Sequence, residues 1–269
     1  MTVLVIRYSF KRFVLVSASF LTGSVLLFFE GKDVRAVNLA FRVLFLMVGM
    51  FLATVGIALV TLADLGTTPI STVPYVFSVI TGYSFGLTTF VVNLFFILGQ
   101  VLLLRKKFPL WNILQVPLVA VFGFFIDVSM HLFSWITLST YWEHLALSVT
   151  GNAVLALGVL MQVRSKTIVQ PGEGIVLAVS VTFRRAFSSM KIANDVSLVI
   201  IALAVGYIVL GHSEGVREGT LISAIAVGLF IKAFEWILAR FKKEPLPEDK
   251  EPNTLFEKES EKSEDSTNC

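Results

Sequence analysis

Gly123-Phe124-Phe125-Ile126-Asp127 returns 105 residues later as Gly228-Leu229-Phe230-Ile231-Lys232. Working back along the chain, an offset of 102 sets Gly49 on Gly151, Gly56 on Gly158, Pro69 on Pro171, Ser78 on Ser180, Val79 on Val181 and Phe85 on Phe187, so that a loop absorbs the shift of three. One shared glycine or phenylalanine means little in an apolar sequence. Glycines, prolines and a five-residue run falling in one register imply a duplicated architecture.

The apolar background is itself informative. Of the 269 residues 55% are hydrophobic and only 15% charged, with a mean hydropathy of +0.81, whereas soluble domains carry about 25% charge. The chain therefore belongs in a lipid bilayer. Stretches 40–63, 85–104, 110–133, 145–163, 192–211 and 219–239 each approach the ~20 residues that a spanning helix needs. Two shorter stretches, Pro69 to Thr81 and Pro171 to Thr182, open on a proline, which suits a first helical turn whose N–H has no partner inside the helix. Their length fits a half-membrane, re-entrant helix.

Basic residues set the expected orientation. Lys32, Arg35, Arg42, the 105–107 cluster, Arg164, Lys166, Arg184, Arg185, Lys191, Arg240, Lys242 and Lys243 share one side if the two short segments enter and leave on the same face. That leaves Arg217 in an outer loop of the six-span body, and it places Lys232 inside the membrane. Three spans and one re-entrant element per copy make the second copy inverted relative to the first. The expected fold is thus an all-α polytopic bundle of two inverted repeats, 37–136 and 137–243. Residues 1–36 form an N-terminal apolar extension, either interfacial or an extra span. Residues 244–269 carry nine acids against three lysines with three prolines and read as a disordered acidic cytoplasmic tail.

With the spans placed, a family resemblance emerges. Gly56-Ile57-Ala58-Leu59, then Ala63-Asp64-Leu65-Gly66-Thr67-Thr68-Pro69, then Thr81-Gly82-Tyr83-Ser84-Phe85-Gly86, then the 123–127 run resemble the YczE/YitT group of bacterial integral membrane proteins over about residues 40–240. The resemblance implies a bacterial cytoplasmic (inner) membrane protein of the kind labelled permease, with one branch connected to peptide-antibiotic production. It carries over no substrate.

Ionisable groups inside a bilayer cost ~2.5–3.5 kcal/mol on insertion scales and so attract functional hypotheses. Asp127 sits deep in the third span, with Lys232 at its equivalent position. The second short segment begins Gln170-Pro171-Gly172-Glu173-Gly174, against the hydroxyl-rich Thr67-Thr68-Pro69-Ile70-Ser71-Thr72 of the first. Asn93 and Asp195 correspond on the following helices. Ser71, Thr72, Asn93, Asp127, Glu173 and Asp195 are therefore expected to line a midplane cavity between the two short helices, with Glu173 favouring a cationic or proton-coupled solute. The bland alternative makes Glu173 and Ser71 caps of their own helix starts and Asp127 a packing group.

Other chemistry finds little footing. His131, His144 and His212 share no metal-ligand spacing, the phosphate-binding GxxxxGK[ST] pattern is absent, and the single Cys269 allows no intrachain disulfide or cysteine-built metal site. No enzyme, cofactor, metal or nucleic acid is expected. The expected partners are the lipid bilayer, a small solute and a homo-oligomeric copy of the chain. A small-solute transporter is the leading reading, ahead of a membrane accessory or assembly protein. An intramembrane enzyme would need Asp127, Glu173 and Asp195 to converge.

Overall fold

The computed structural model describes residues 39–105 and 108–242; the N-terminal extension and the acidic tail lie outside the described residues. Packing divides the chain into Met1–Arg42 and Val43–Cys269, and the helical bundle lies in the second unit. Eight α-helices run through the described residues: α1 Leu39–Leu62, α2 Pro69–Thr81, α3 Phe85–Leu104, α4 Gln115–Leu132, α5 Tyr141–Ser165, α6 Pro171–Phe183, α7 Phe187–Leu210 and α8 Glu218–Lys242. A 3-10 turn, Leu110–Leu114, leads into α4. Six of the helices, α1, α3, α4, α5, α7 and α8, are long and apolar enough to cross a membrane, while α2 and α6 are shorter. The protein is an all-helical, multi-pass membrane bundle.

Two spans start earlier than their hydropathy suggests, at Tyr141 and Phe187 instead of 145 and 192, because their first turns are polar. On α5 the Glu143 carboxylate accepts the Ser139 and Thr140 backbone N–H groups at 2.9 and 3.2 Å, satisfying donors that the helix cannot. Trp135, Tyr141 and Trp142 are exposed around this start, as an interfacial aromatic belt requires.

Local geometry recurs at the sequence offset. α2 and α6 both have thirteen residues, an extended N-cap (Thr68, Gln170) and a proline in the first turn. Both end on a left-handed residue, Gly82 at φ 71° and Arg184 at φ 51°, whose N–H returns to Ser78 and Ser180 respectively. Asp64 at φ 51° and Lys166 at φ 49° correspond in the same way just beyond α1 and α5.

Glycines set the central crossing. A β-carbon on Gly158 would lie 2.4 Å from the Ala53 nitrogen and 2.7 Å from the Gly49 oxygen, and one on Gly151 only 3.0 Å from the Gly56 oxygen. Contacts of 49 with 158 and of 56 with 151 make α1 and α5 antiparallel. Small residues permit such backbone approach where lipid supplies no hydrophobic drive. Phe51 meets Phe125 edge to face at 5.5 Å, and Thr54 Oγ1 lies 3.3 Å from Ser129 Oγ, so α4 runs parallel to α1. Helix α3 runs against α4, since Gly86 abuts Gly123 while Gln100 reaches Gln115. Across the sequence halves, α2 packs on α7 and α6 on α3, the first pair through Val73, Val76, Leu198 and Ala202.

Candidate functional site

The starts of α2 and α6 touch. A β-carbon on Gly172 would lie 2.2 Å from Ile70 Cδ1 and 3.9 Å from Phe96 Cε2, so the missing side chain of Gly172 makes room for Ile70. These two residues are themselves 102 apart. Around the α6 start, Gln100 Nε2 donates to the Pro171 carbonyl at 3.2 Å and to Gln115 Oε1 at 3.3 Å. Gln162 Nε2 donates to the Gly49 carbonyl at 3.3 Å, and Gln170 donates to Gln162 Oε1. Gln100 and Gln115 are buried, and among the described residues Gln115 Nε2 has no hydrogen-bond partner. Four glutamines thus surround the helix start.

The sequence-derived site residues divide into two groups. Ser71 and Thr72 are buried at the α2 start, but their hydroxyls are occupied locally. Ser71 Oγ accepts from Thr68 Oγ1 at 2.9 Å, and Thr72 Oγ1 donates to the Pro69 carbonyl at 2.7 Å. Glu173 lies in the first turn of α6, and the charges acting on it are Lys191 and Asp195 of α7. Those two pair at 3.4 Å, one helical turn apart, and Asn194 Nδ2 reaches Asp195 Oδ1 at 3.4 Å. These charges act on Glu173 from α7, which packs on α6, and Lys191 joins a group that the charge pattern alone assigns to the membrane boundary.

Asp127 and Asn93 are placed otherwise. Asp127 Oδ2 accepts from Ser84 Oγ at 2.7 Å and Oδ1 from the Gly86 N–H at 2.7 Å. It caps the start of α3, where a carboxylate offsets the unpaired N–H groups and the helix dipole. The α6 start meets α3 at Phe96 to Gln100, up to fourteen residues or ~21 Å farther along that helix. The expected convergence of Asp127 with Glu173 is thus corrected: the carboxylate belongs to a helix cap. Asn93 Nδ2 donates to the Thr89 carbonyl of its own helix at 2.8 Å. Lys232 is exposed, and among the described residues no carboxylate lies within 4.0 Å of its ammonium group.

A polar cleft opens at the α1–α2 and α7–α8 loops, lined in part by Thr61, Asp64, Tyr75, Glu214 and Arg217. Arg217 pairs with the Asp64 carboxylate at 3.2 Å and donates to its carbonyl at 2.7 Å. Backbone bonds from Thr67 N to Gly215 O (2.8 Å) and from Gly219 N to Leu65 O (2.7 Å) bind the two loops together. The arginine that the charge count leaves alone in an outer loop thus has an acidic partner 153 residues away. Among the described residues, no three His, Cys, Asp or Glu side chains group as metal ligands.

Comparison with known proteins gives a family. The family model DUF6198 matches residues 40–235. The chain belongs to DUF6198, a family of unknown function. The description of DUF6198 assigns no activity. Neither a curated protein nor a solved structure matches the chain.

Proposed function

We propose that the protein is a small-solute transporter of the bacterial cytoplasmic membrane, built from inverted halves 37–136 and 137–243, with its site where α2 and α6 meet. The observation that carries this reading is the contact of Ile70 with Gly172, two equivalent positions touching each other. Elements that meet their own counterparts lie on a two-fold axis. The antiparallel crossing of α1 and α5 at 49/158 and 56/151 obeys the same exchange. The directions of α1, α3 and α4 support a re-entrant α2, because α1 ends and α3 begins at one face. Paired short helices starting near the midplane are a recurring way to bind solutes in transporters, since irregular backbone at that depth is tolerated only when buried or facing water.

In this reading Glu173, with Lys191 and Asp195 beside it, supplies the charge that a cationic or proton-coupled solute meets, and no chemical step is involved. The kinship with YczE/YitT proteins and a cytoplasmic C-terminus belong to the same proposal. A metabolite comparison of cells with and without the protein, followed by uptake into proteoliposomes, identifies the solute. Glu173→Gln then abolishes uptake while leaving expression and thermal stability near the parent's, because a cap alone contributes only ~0.5–2 kcal/mol.

One set of observations favours the second reading, a membrane accessory or assembly protein. Ile70 fills the space beside Gly172, and the Ser71 and Thr72 hydroxyls are occupied by their own helix. Unchanged uptake by Glu173→Gln would put that reading in front.

A further inference from the structure

We propose that the seam between α5 and α8 is a water-filled path that opens at the Asp64–Arg217 cleft and ends at a water site formed by Ser148, Asn152 and Ser223. It stands whether or not a solute passes between α2 and α6.

The path is built from polar residues at helical spacing. On α5, His144, Ser148 and Asn152 follow one another at intervals of four and so share a face. Along α8, Arg217 just before the helix is followed by Thr220 and Ser223 at intervals of three. Helices α5 and α8 pack together. Among the described side chains of α8 only Gly219, Thr220 and Ser223 are buried, so these positions face the bundle. At the mouth, a β-carbon on Gly66 would lie 2.5 Å from Thr220 Oγ1. Thr220 Oγ1 also contacts the Gly215 carbonyl and the Arg217 N–H at 3.3 and 3.4 Å. Beside it, His144 Nδ1 is 2.8 Å from the Ala63 carbonyl.

One turn deeper the pairing is incomplete, although Asn152 Nδ2 donates to the Ser148 carbonyl at 2.9 Å. Ser148 and Asn152 are 0% exposed and Ser223 1%, yet among the described residues Ser148 Oγ, Asn152 Oδ1 and Ser223 Oγ have no hydrogen-bond partner. A buried polar group left without one costs roughly 1–3 kcal/mol, so each of the three calls for a partner, and the register that gathers their equivalents Leu46, Met50 and Leu118 into one cluster assigns them to one site. Two hydroxyl hydrogens and an amide oxygen match one water, which accepts from both serines and donates to Asn152. A bare cation would leave both hydroxyl hydrogens unpaired. It would also find neither a carboxylate among the three nor the unwound backbone carbonyls that such ions use.

The other half shows what a dry version looks like. Offsets of 102 and 105 carry Ser148, Asn152 and Ser223 onto Leu46, Met50 and Leu118. Those three form a single apolar cluster, with Ile168 packed against it. The corresponding route from the opposite end is thus plugged with hydrocarbon, and hydration enters from one end only.

The test uses the full chain with Cys269→Ser as background and one cysteine each from Ser148→Cys, Thr220→Cys, Ser223→Cys, Leu118→Cys and Asp64→Cys. The probe is Ag+ in nitrate buffer, close to water in size, applied separately to right-side-out and inside-out vesicles. Thiols left unblocked are counted with a fluorescent maleimide after denaturation in SDS. Cysteines at 148, 220 and 223 should be blocked from the same face as the one at 64, at least an order of magnitude faster than the one at 118. Equal, slow blocking at 118, 148 and 223, or access to 223 from the face opposite Asp64→Cys, would overturn the proposal. Parent-like gel filtration identifies the folded variants, and Thr220→Cys supplies a shallower position should either serine variant misfold.

Discussion

The pair α3–α4 and the pair α7–α8 correspond in sequence, but among the described residues only the first is closely packed. In the first, Gly86 and Gly123 bring two backbones into contact, and Asp127 seals them by accepting from Ser84 and Gly86. In the second, the equivalents of Ser84, Gly86, Gly123 and Asp127 are Ala186, Ser188, Gly228 and Lys232. Ala186 caps α7 without a side-chain bond, and a β-carbon on Gly228 would meet nothing within 4 Å. The seams beside these junctions differ in the same sense, apolar at Leu46, Met50 and Leu118 and polar at Ser148, Asn152 and Ser223. Matching helix bounds therefore coexist with divergent side chains: α3 and α4 are in close contact, α7 and α8 are not, and the neighbouring seams differ in polarity.

The largest effect that should separate the two sites comes from bulk at glycine. Gly158→Leu drives a side chain into the backbone of Ala53 and Gly49. Overpacking of this kind costs ~1–3 kcal/mol even where side chains can yield, and backbone yields less, so folded protein should be lost on gel filtration. Gly228→Leu should purify like the parent. A folded, parent-like Gly158→Leu would mean that the α1–α5 crossing is looser than described.

Alanine sharpens the contrast within the two junctions. A β-carbon on Gly123 would lie 2.5 Å from the Gly86 oxygen, so Gly123→Ala should lower the detergent melting temperature. Gly228→Ala should raise it slightly, since alanine is favoured over glycine by ~1 kcal/mol inside a helix. Equal shifts at both positions would erase the distinction.

Removing the seal is the smallest of the three. Asp127→Asn loses the charge on the cap, and hydrogen bonds to charged groups contribute ~1.5–3 kcal/mol, part of which the amide retains. Lys232→Met, with no ion pair to lose among the described residues, should stay within ~0.5 kcal/mol. Thermal unfolding of the two variants in one detergent decides the matter, and a larger loss from Lys232→Met would show that the lysine has a partner in the assembled protein.

Much of the bundle is legible in the sequence because spans are long and apolar and because Pro69 and Pro171 punctuate the short helices in one register. The meeting of α2 with α6 is legible only through the proposed repeat, whose register sets Ile70 and Gly172 at equivalent positions. Asp127 is easily misplaced because its partners, Ser84 and Gly86, are more than forty residues away, and an acid in an apolar run looks alike whether it faces a cavity or caps a neighbouring helix. The glutamines around the α6 start and the Ser148–Asn152–Ser223 group escape a search limited to ionisable residues. Their signal is still in the sequence: the offsets that align the glycines also set these three polar residues opposite Leu46, Met50 and Leu118, a mismatch that identities alone pass over.

In the proposed arrangement the two halves are inverted, with α2 and α6 each returning to the face from which it entered. Tyr83 and Arg185 lie in corresponding, exposed loops after these helices. With Cys269→Ser as background, Asp64→Cys, Tyr83→Cys, Lys166→Cys and Arg185→Cys can be treated one at a time with a membrane-impermeant maleimide. Cysteines at 64 and 83 should label in intact cells, whereas those at 166 and 185 should label only after the cells are opened. Labelling of 83 and 185 from the same face, or of 64 and 83 from opposite faces, would contradict this arrangement.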